Sequence, residues 1–381
     1  MKNSTQEIFK YLINQIEILK KQNEELSREI LDIKAENTLK NEEMNNNIKQ
    51  QNIKINNYEE KMRILEERIK TLEKLNGEEK VFKNKNKFDI SNIKMIKSIN
   101  EHKDTIYSVS IFPSGKMISV SNDKSIKIYD INFNLIDNIE DAHDWGIIYV
   151  EIIDENNFIT CSFDHTIKTW IKKNNKFYIN TIIHNAHNNQ INKVIYSNKN
   201  LISCSWDKTV KIWEEKNNNY QLITKLSHSN IVWSILVLKD KNLLISCGYD
   251  GTRIWNNNNL ELIQYFKSVK CRLRNGLSRM DDDTIIIGGY QIMNVISLSK
   301  NVILAQIKIP FDCYGIKIIE EKRIFLVGGD SKDFVIYKSD SYEYIKTIKN
   351  AHNDNIKGFV EFKNGLIASF SEDKTIKIWS F

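Results

Sequence analysis

Two prolines, thirteen glycines and five cysteines in 381 residues leave little room for several common architectures. No apolar run approaches the roughly 20 residues that a membrane-spanning helix needs. The amino terminus, MKNSTQEIFK, has no secretory signal pattern. A cytoplasmic chain, or a nuclear one, is the expectation. Charge of one sign is also scarce, since 55 Lys and Arg against 49 Asp and Glu leave a net +6. That balance does not supply the dense basic face on which nucleic-acid binding rests. The cysteines form no CxxC pair and no Cys/His ligand spacing. Cys161, Cys204 and Cys247 each stand three residues before an Asp, one equivalent strand position, and are expected to be buried thiols. No metal and no cofactor is expected. Walker, HExxH and GxSxG motifs are absent as well, so no enzyme is expected.

What the chain has instead is a repeat. ISCSWDKTVKIW ends at Trp213, and the same figure recurs as ITCSFDHTIKTW, ISVSNDKSIKIY and IASFSEDKTIKIW, ending at Trp170, Tyr129 and Trp379. A shorter copy, ISCGYDGTRIW, ends at Trp255, and degraded copies end at Ile296 and Tyr337. A period of roughly 40–45 residues closing on an Asp…Trp figure predicts four-stranded propeller blades. The first repeat reads as strands over 106–111, 117–121, 125–129 and 135–139. The last repeat stops two residues after its third strand, while an orphan strand, KMIKSI at 94–99, precedes the first. Pairing the two closes a ring of seven blades and hides an edge that otherwise templates aggregation. The predicted fold is therefore an all-β seven-bladed propeller over 93–381.

Residues 5–76 contain neither Pro nor Gly and space their apolar residues at alternating three and four steps. Phe9, Leu12, Ile16, Leu19, Leu26, Ile30 and Ile33 fit a and d positions, with Asn23 and Asn37 at a. After a stutter between Asn37 and Asn41, a second frame runs from Met44 to Leu72. The pattern predicts a coiled coil, and buried Asn at a favours an in-register two-stranded partner. A polar linker with Lys83, Lys85 and Lys87 fills 77–92.

From Ile93 onward the chain resembles the WD-repeat (WD40-type) propellers. In that family Asp, His, Ser/Thr and Trp form a buried hydrogen-bonded tetrad. The resemblance implies the sets His102, Ser119, Asp123 and Tyr129; His143, Thr160, Asp164 and Trp170; His187, Ser203, Asp207 and Trp213; His228, Ser246, Asp250 and Trp255; and His352, Ser369, Asp373 and Trp379. Four sets are complete, and in the first Tyr129 replaces Trp. A His, Ser and Asp group repeated five times at one period reads as structure, because a nucleophile is normally unique. The fifth and sixth repeats lack the His, the fifth has Gln291 where Asp belongs, and both are expected to hold by packing alone.

The family's recurring contact surface is the top face around the central channel. The positions implied there are Tyr107, Asn122, Phe163, Trp206, Trp233, Tyr249, Tyr290, Tyr314, Lys357 and Glu372, with Ile148, Asn192 and Asn275 at related sites. Exposed Trp and Tyr at such a face are the residue types of interface hot spots. The expected function is a protein-interaction scaffold: the coiled coil oligomerises, as a homodimer or with a helical partner, and the propeller docks a protein or peptide. The order helix-then-propeller also resembles the heterotrimeric G-protein beta subunit, whose helix pairs with a small helical chain. Dynein-regulator and autophagy scaffolds place a coiled coil before a propeller too. A nucleic-acid adaptor is the weakest alternative. It would use Lys83, Lys85 and Lys87 with Arg253, Arg272, Arg274 and Arg279, four arginines that also suit a rim for acidic ligands.

Overall fold

The computed structural model describes residues 2–35, 52, 93–217 and 219–380, with side chains given for 13–29 of the first segment. The chain divides into two compact units, Met1–Asp89 and Ile90–Phe381. The second heptad frame, the stutter and the lysine-bearing linker all fall outside the described residues. No helix among the described residues is long and apolar enough to cross a membrane.

In the first unit an α-helix spans Lys2–Ala35. Along 13–29, Ile16 is buried and Leu19, Asn23 and Leu26 are half-buried, while most of their neighbours are exposed. These four positions are the predicted seam. The helix is present; a coiled-coil partner is not among the described residues.

The second unit is seven four-stranded antiparallel sheets with strands here called a to d, consecutive in sequence in six of them. Blade one comprises Ile106–Ile111, Met117–Ser121, Ile126–Tyr129 and Leu135–Ile139. Strand a begins blades two to six at Ile147–Ile152, Ile191–Ser197, Val232–Leu238, Leu277–Arg279 and Cys313–Ile319. Blade seven takes Ile356–Glu361, Ile367–Ser371 and Ile376–Ser380 from the carboxyl end, and Lys94–Ile99 supplies its outer strand. That strand runs antiparallel to the last one in the register Lys94↔Ser380 to Ile99↔Ile376. Strands a of successive blades touch all the way round, from blade one through blade seven and back. The ring of seven is closed.

Each layer has the composition its place requires. Strand b is sandwiched between neighbouring sheets, so Met117–Ser121 and Ile367–Ser371 are buried at every position. Strand d is the outer edge, and Val302–Lys308 alternates exposed with half-buried residues. The hydrophobic core lies between blades rather than at the axis. Ile118, Val120, Ile126 and Ile128 of blade one, for example, pack with Ile147, Val150, Phe158 and Trp170 of blade two. The seam between the chain's two ends is filled in the same way. Ala368, Phe370, Ile376 and Ile378 of blade seven meet Ile106, Val109, Met117 and Tyr129 of blade one.

Two recurring irregularities shape the blades. The pairing of strands a and b slips by one residue in six blades, leaving Tyr107, Ile148, Asn192, Trp233, Tyr314 and Lys357 at a bulge. A bulge re-aims its side chain, which is why these positions differ from the alternating residues that follow. Blade five has no such bulge, and its strand a is only three residues long.

Candidate functional site

Because strands a and b are antiparallel, the turn joining b to c lies at the same end of the blade as the start of strand a. Seven such ends form one face of the ring, called the top. Its supports are the repeated polar sets. In blade three, His187 Nδ1 lies 2.8 Å from Asp207 Oδ2 and His187 Nε2 lies 2.8 Å from Ser203 Oγ. Trp213 Nε1 donates to the same hydroxyl at 2.9 Å. Blades two, four and seven repeat this with His143, Asp164, Thr160 and Trp170; His228, Asp250, Ser246 and Trp255; and His352, Asp373, Ser369 and Trp379. In all five His-bearing blades the imidazole side chain is 0% exposed, so none of these His, Ser and Asp groups opens onto a cleft.

The sets are larger than four members. Asp207 Oδ1 also accepts from the backbone and hydroxyl of Thr209, at 3.0 and 2.6 Å. Ser125, Thr166 and Thr375 do the same in blades one, two and seven. Lys168, Lys211 and Lys377 on strand c donate to the carbonyls of Ala142, Ala186 and Ala351, each just before the His. The figures Asp-x-Ser/Thr and Lys-x-Trp carried both signals in the sequence. In blade four Arg253 takes the hydroxyl's place and donates to Asp250 Oδ2 at 2.8 Å.

Blade one departs where the sequence said it would. His102 meets Asp123 at 2.9 Å and Ser119 at 2.7 Å, but the buried Tyr129 Oη has no hydrogen-bond partner. An unpaired buried hydroxyl is a cost that Phe does not have. Tyr129→Phe is therefore expected to leave stability unchanged or raise it by about 1 kcal/mol, read from urea denaturation midpoints.

The expectation that blades five and six hold by packing alone is corrected. Arg279 makes a two-pronged pair with Asp240 of blade four at 2.8 Å for both bonds. Thr284 bonds Asp281, and Ser297 bonds Asp283. Arg272 of blade five pairs with Asp312 of blade six. Polar ties therefore replace the missing His sets in these blades.

Burial pushes each Asp carboxyl of the five sets up, but the His hydrogen bond and charge, with hydroxyl or backbone donors, outweigh it. The net effect holds the carboxyls of Asp123, Asp164, Asp207, Asp250 and Asp373 well below the usual range. Burial also pulls the five His below their ordinary value, against the opposing pull of their Asp partners. Both shifts act in one direction. Folded His stays neutral at a pH where unfolded His is protonated, so stability falls as pH drops below about 6.5. The Asp contribution is complete above about pH 4 and is lost as pH falls towards the depressed folded values. Calorimetry is expected to show Tm level above pH 7 and falling progressively below 6.5; a Tm that rises between pH 7 and 5.5 contradicts this. Burial likewise pushes the thiols of Cys161, Cys247 and Cys313 up, and that of Cys204 up to about 12.

The top-face residues divide into those that reach the surface and those that do not. Tyr290 is 47% exposed, and Trp206 and Tyr249 are half-buried. They form one arc with Trp233: Trp206 and Tyr249 stand edge-on to it at 5.5 and 5.6 Å, and Tyr290 stacks on Tyr249 at 6.0 Å. Arg272 caps Tyr290 at 4.4 Å. Trp233 itself, expected to be exposed, is 6% exposed, because its bulge aims it between Trp206 and Tyr249. Lys357 is likewise buried and pairs with Glu372, so those two expected contacts neutralise one another. Ile148 and Asn192 are buried, and Asn192 positions the arc by accepting from Trp206 Nε1 at 3.1 Å. Tyr107 and Phe163 pack edge-on at 5.6 Å, Asn122 bonds Asp104, and Tyr314 lies under Lys357. The four arginines are not a free acidic-ligand rim: Arg253, Arg272 and Arg279 are paired, and Arg274 is buried. Trp145, 61% exposed beside His165, is a surface aromatic outside the expected top-face set. Its signal was a Trp two residues after a repeat His, where other repeats have small or polar residues.

The repeats and the closed ring define the class: this chain carries WD40 repeats folded as a seven-bladed propeller. The family model described as "WD domain, G-beta repeat" matches residues 93–130, 179–214 and 220–256. The solved WD40 beta propeller domain of Doa1 superimposes with a TM-score of 0.64 at 18% identity, covering 76% of this chain and 98% of that one. At that identity the likeness is one of fold. "Lissencephaly-1 homolog 1" of Paramecium tetraurelia is 40% identical over 78 residues, which is 19% of this chain and 19% of that protein. The chain thus matches about a fifth of that relative's length. WD40 propellers are generally protein-interaction scaffolds.

Proposed function

We propose that this chain is a non-enzymatic scaffold whose propeller docks a protein partner through the top face, and whose amino-terminal helix joins it to a second chain. The observation that supports docking most is the continuous arc Trp206–Trp233–Tyr249–Tyr290, in which Trp206 and Tyr249 immediately precede Asp207 and Asp250 of the polar sets and Tyr290 is open to solvent. A rigid, partly exposed aromatic row supplies contact area at low entropic cost. For the helix, support comes from the seam of Ile16, Leu19, Asn23 and Leu26, the least exposed stripe along 13–29. Asn23 stands at an a position, where Asn favours an in-register two-stranded partner. Two joined propellers present two top faces and gain avidity.

The test is native affinity purification of the full chain and of residues 90–381, with the complexes sized and their chains identified. Two copies at full length and one in the truncation, with the same partner retained by both, is the expected result. One copy with a different small helical chain replaces the homodimer with a G-protein-beta-like arrangement. Monomers throughout contradict the helical part of the reading.

A further inference from the structure

Residues 270–276, which precede the short strand a of blade five, send Arg274 and Asn275 to four other blades. The carbonyl of Arg274 accepts from Ser234 Oγ of blade four at 2.6 Å. Asn275 pairs with Gly315 of blade six and donates to the carbonyl of Lys357 of blade seven at 3.0 Å. Gly358 lies beside this contact, where a Cβ would sit 2.6 Å from the Phe370 ring and 3.0 Å from Asn275 Nδ2. The Arg274 guanidinium then reaches the Tyr107 ring of blade one at 5.0 Å and the Trp233 ring of blade four at 6.0 Å. A residue of blade five that touches blades one and four lies in the channel, at the end where strands a begin.

Arg274 is 6% exposed, and its Nε is buried without a hydrogen-bond partner. Among the described residues no carboxylate pairs with it. Three acidic groups of this face are committed elsewhere: Glu372 to Lys357 and Asn355, Asp312 to Arg272, and Asp104 to Asn122. Trp233 Nε1, in the same place, is also buried and unpaired. A guanidinium keeps its proton in a protein, so this charge cannot be shed. Two aromatic faces only partly replace the water it has lost. Its buried neighbour Lys357, by contrast, has its partner in Glu372. The socket thus holds one uncompensated positive charge and two buried donors without a hydrogen bond, between aromatic walls.

We propose that the mouth of the channel receives one carboxylate side chain, Asp or Glu, from a loop or peptide of the partner protein, which pairs with Arg274 between Tyr107 and Trp233. This rests on the docking reading above and adds the chemistry of its anchor. A single cation matches a monoanion. A phosphoryl group carries close to two negative charges and leaves one unmatched among the rings.

The probe is an array of random heptapeptides in which one position at a time is fixed as Asp, Glu, Gln, Leu or phosphoserine, incubated with the full chain. Asp or Glu at one fixed position is expected to raise capture about tenfold over Gln. Arg274→Gln abolishes that preference while its Tm stays level or rises, because an unpaired buried charge has been removed. Trp233→Phe, which removes the second donor together with part of one aromatic wall, weakens the preference severalfold at some loss of Tm, and it decides the matter if Arg274→Gln does not fold. The inference is overturned if capture ignores the acidic residue, if phosphoserine is preferred to Asp and Glu, or if Arg274→Gln keeps the preference while losing stability. Peptides captured without an acidic anchor yet lost on Tyr290→Ala leave the docking reading standing and sink this one. No capture of any peptide counts against both.

Discussion

A chain beginning at residue 100, without Lys94–Ile99, is expected to lose about 3 kcal/mol of stability and to associate as concentration rises. The size of the effect follows from what that strand does. Most of its side chains are exposed and only Ile99 is buried, so little apolar area is lost. What disappears is the antiparallel ladder from Lys94↔Ser380 to Ile99↔Ile376 and the tie from Lys97 Nζ to the carbonyls of Asn132 and Phe133, at 2.9 and 3.0 Å. The last strand, Ile376–Ser380, then becomes an open edge carrying Trp379. Urea denaturation and light scattering read the two consequences, and a synthetic peptide of residues 93–100 added in trans is expected to reverse both. A truncated chain that stays monomeric with an unchanged midpoint contradicts the account of closure.

Asp207→Ala should destabilise blade three by about 3 kcal/mol, more than a typical surface change by several fold. Four donors lose one acceptor group: His187 Nδ1 at 2.8 Å, the Asn188 amide at 3.1 Å, and the amide and hydroxyl of Thr209 at 3.0 and 2.6 Å. The His187 side chain is fully enclosed, so water does not easily replace the carboxylate. Unsatisfied buried donors cost more than the net worth of the bonds they made. Asp207→Asn keeps the shape but turns a donor towards donors, and it should recover only part of the loss. The readout is a fall in the urea midpoint at constant slope. A shift below about 0.5 kcal/mol would mean that the blade relaxes around the gap.

The ring was legible because its strands repeat, and a repeat exposes its own exceptions. The strand at 94–99 was recognisable as an orphan only because the last repeat lacked a fourth strand. The four complete sets were readable for the same reason, since His, Ser/Thr, Asp and Trp keep their order and, within a residue or two, their spacing. Burial at the top face was not readable. Trp233 and Tyr249 are both large aromatics beside polar residues, and only the slipped pairing of strands a and b turns the first inward. Blades five and six were misjudged because their ties, Arg279 to Asp240 and Arg272 to Asp312, join residues about 40 positions apart. Arg274 was hidden among neighbouring arginines; its isolation in the channel depends on blades one and four, which no local spacing reveals.

The most direct test of the docking account compares partner retention by three forms of the full chain in one quantitative purification. They are the natural sequence, Tyr249→Ala with Tyr290→Ala on the top face, and Tyr344→Ala on the outer strand of blade six, where Tyr344 is 60% exposed. The account predicts that the double top-face variant loses the partner retained by the natural chain, while Tyr344→Ala keeps it and all three melt within a few degrees. Equal retention by the double variant, or loss only with Tyr344→Ala, would place the contact elsewhere on the ring and contradict it.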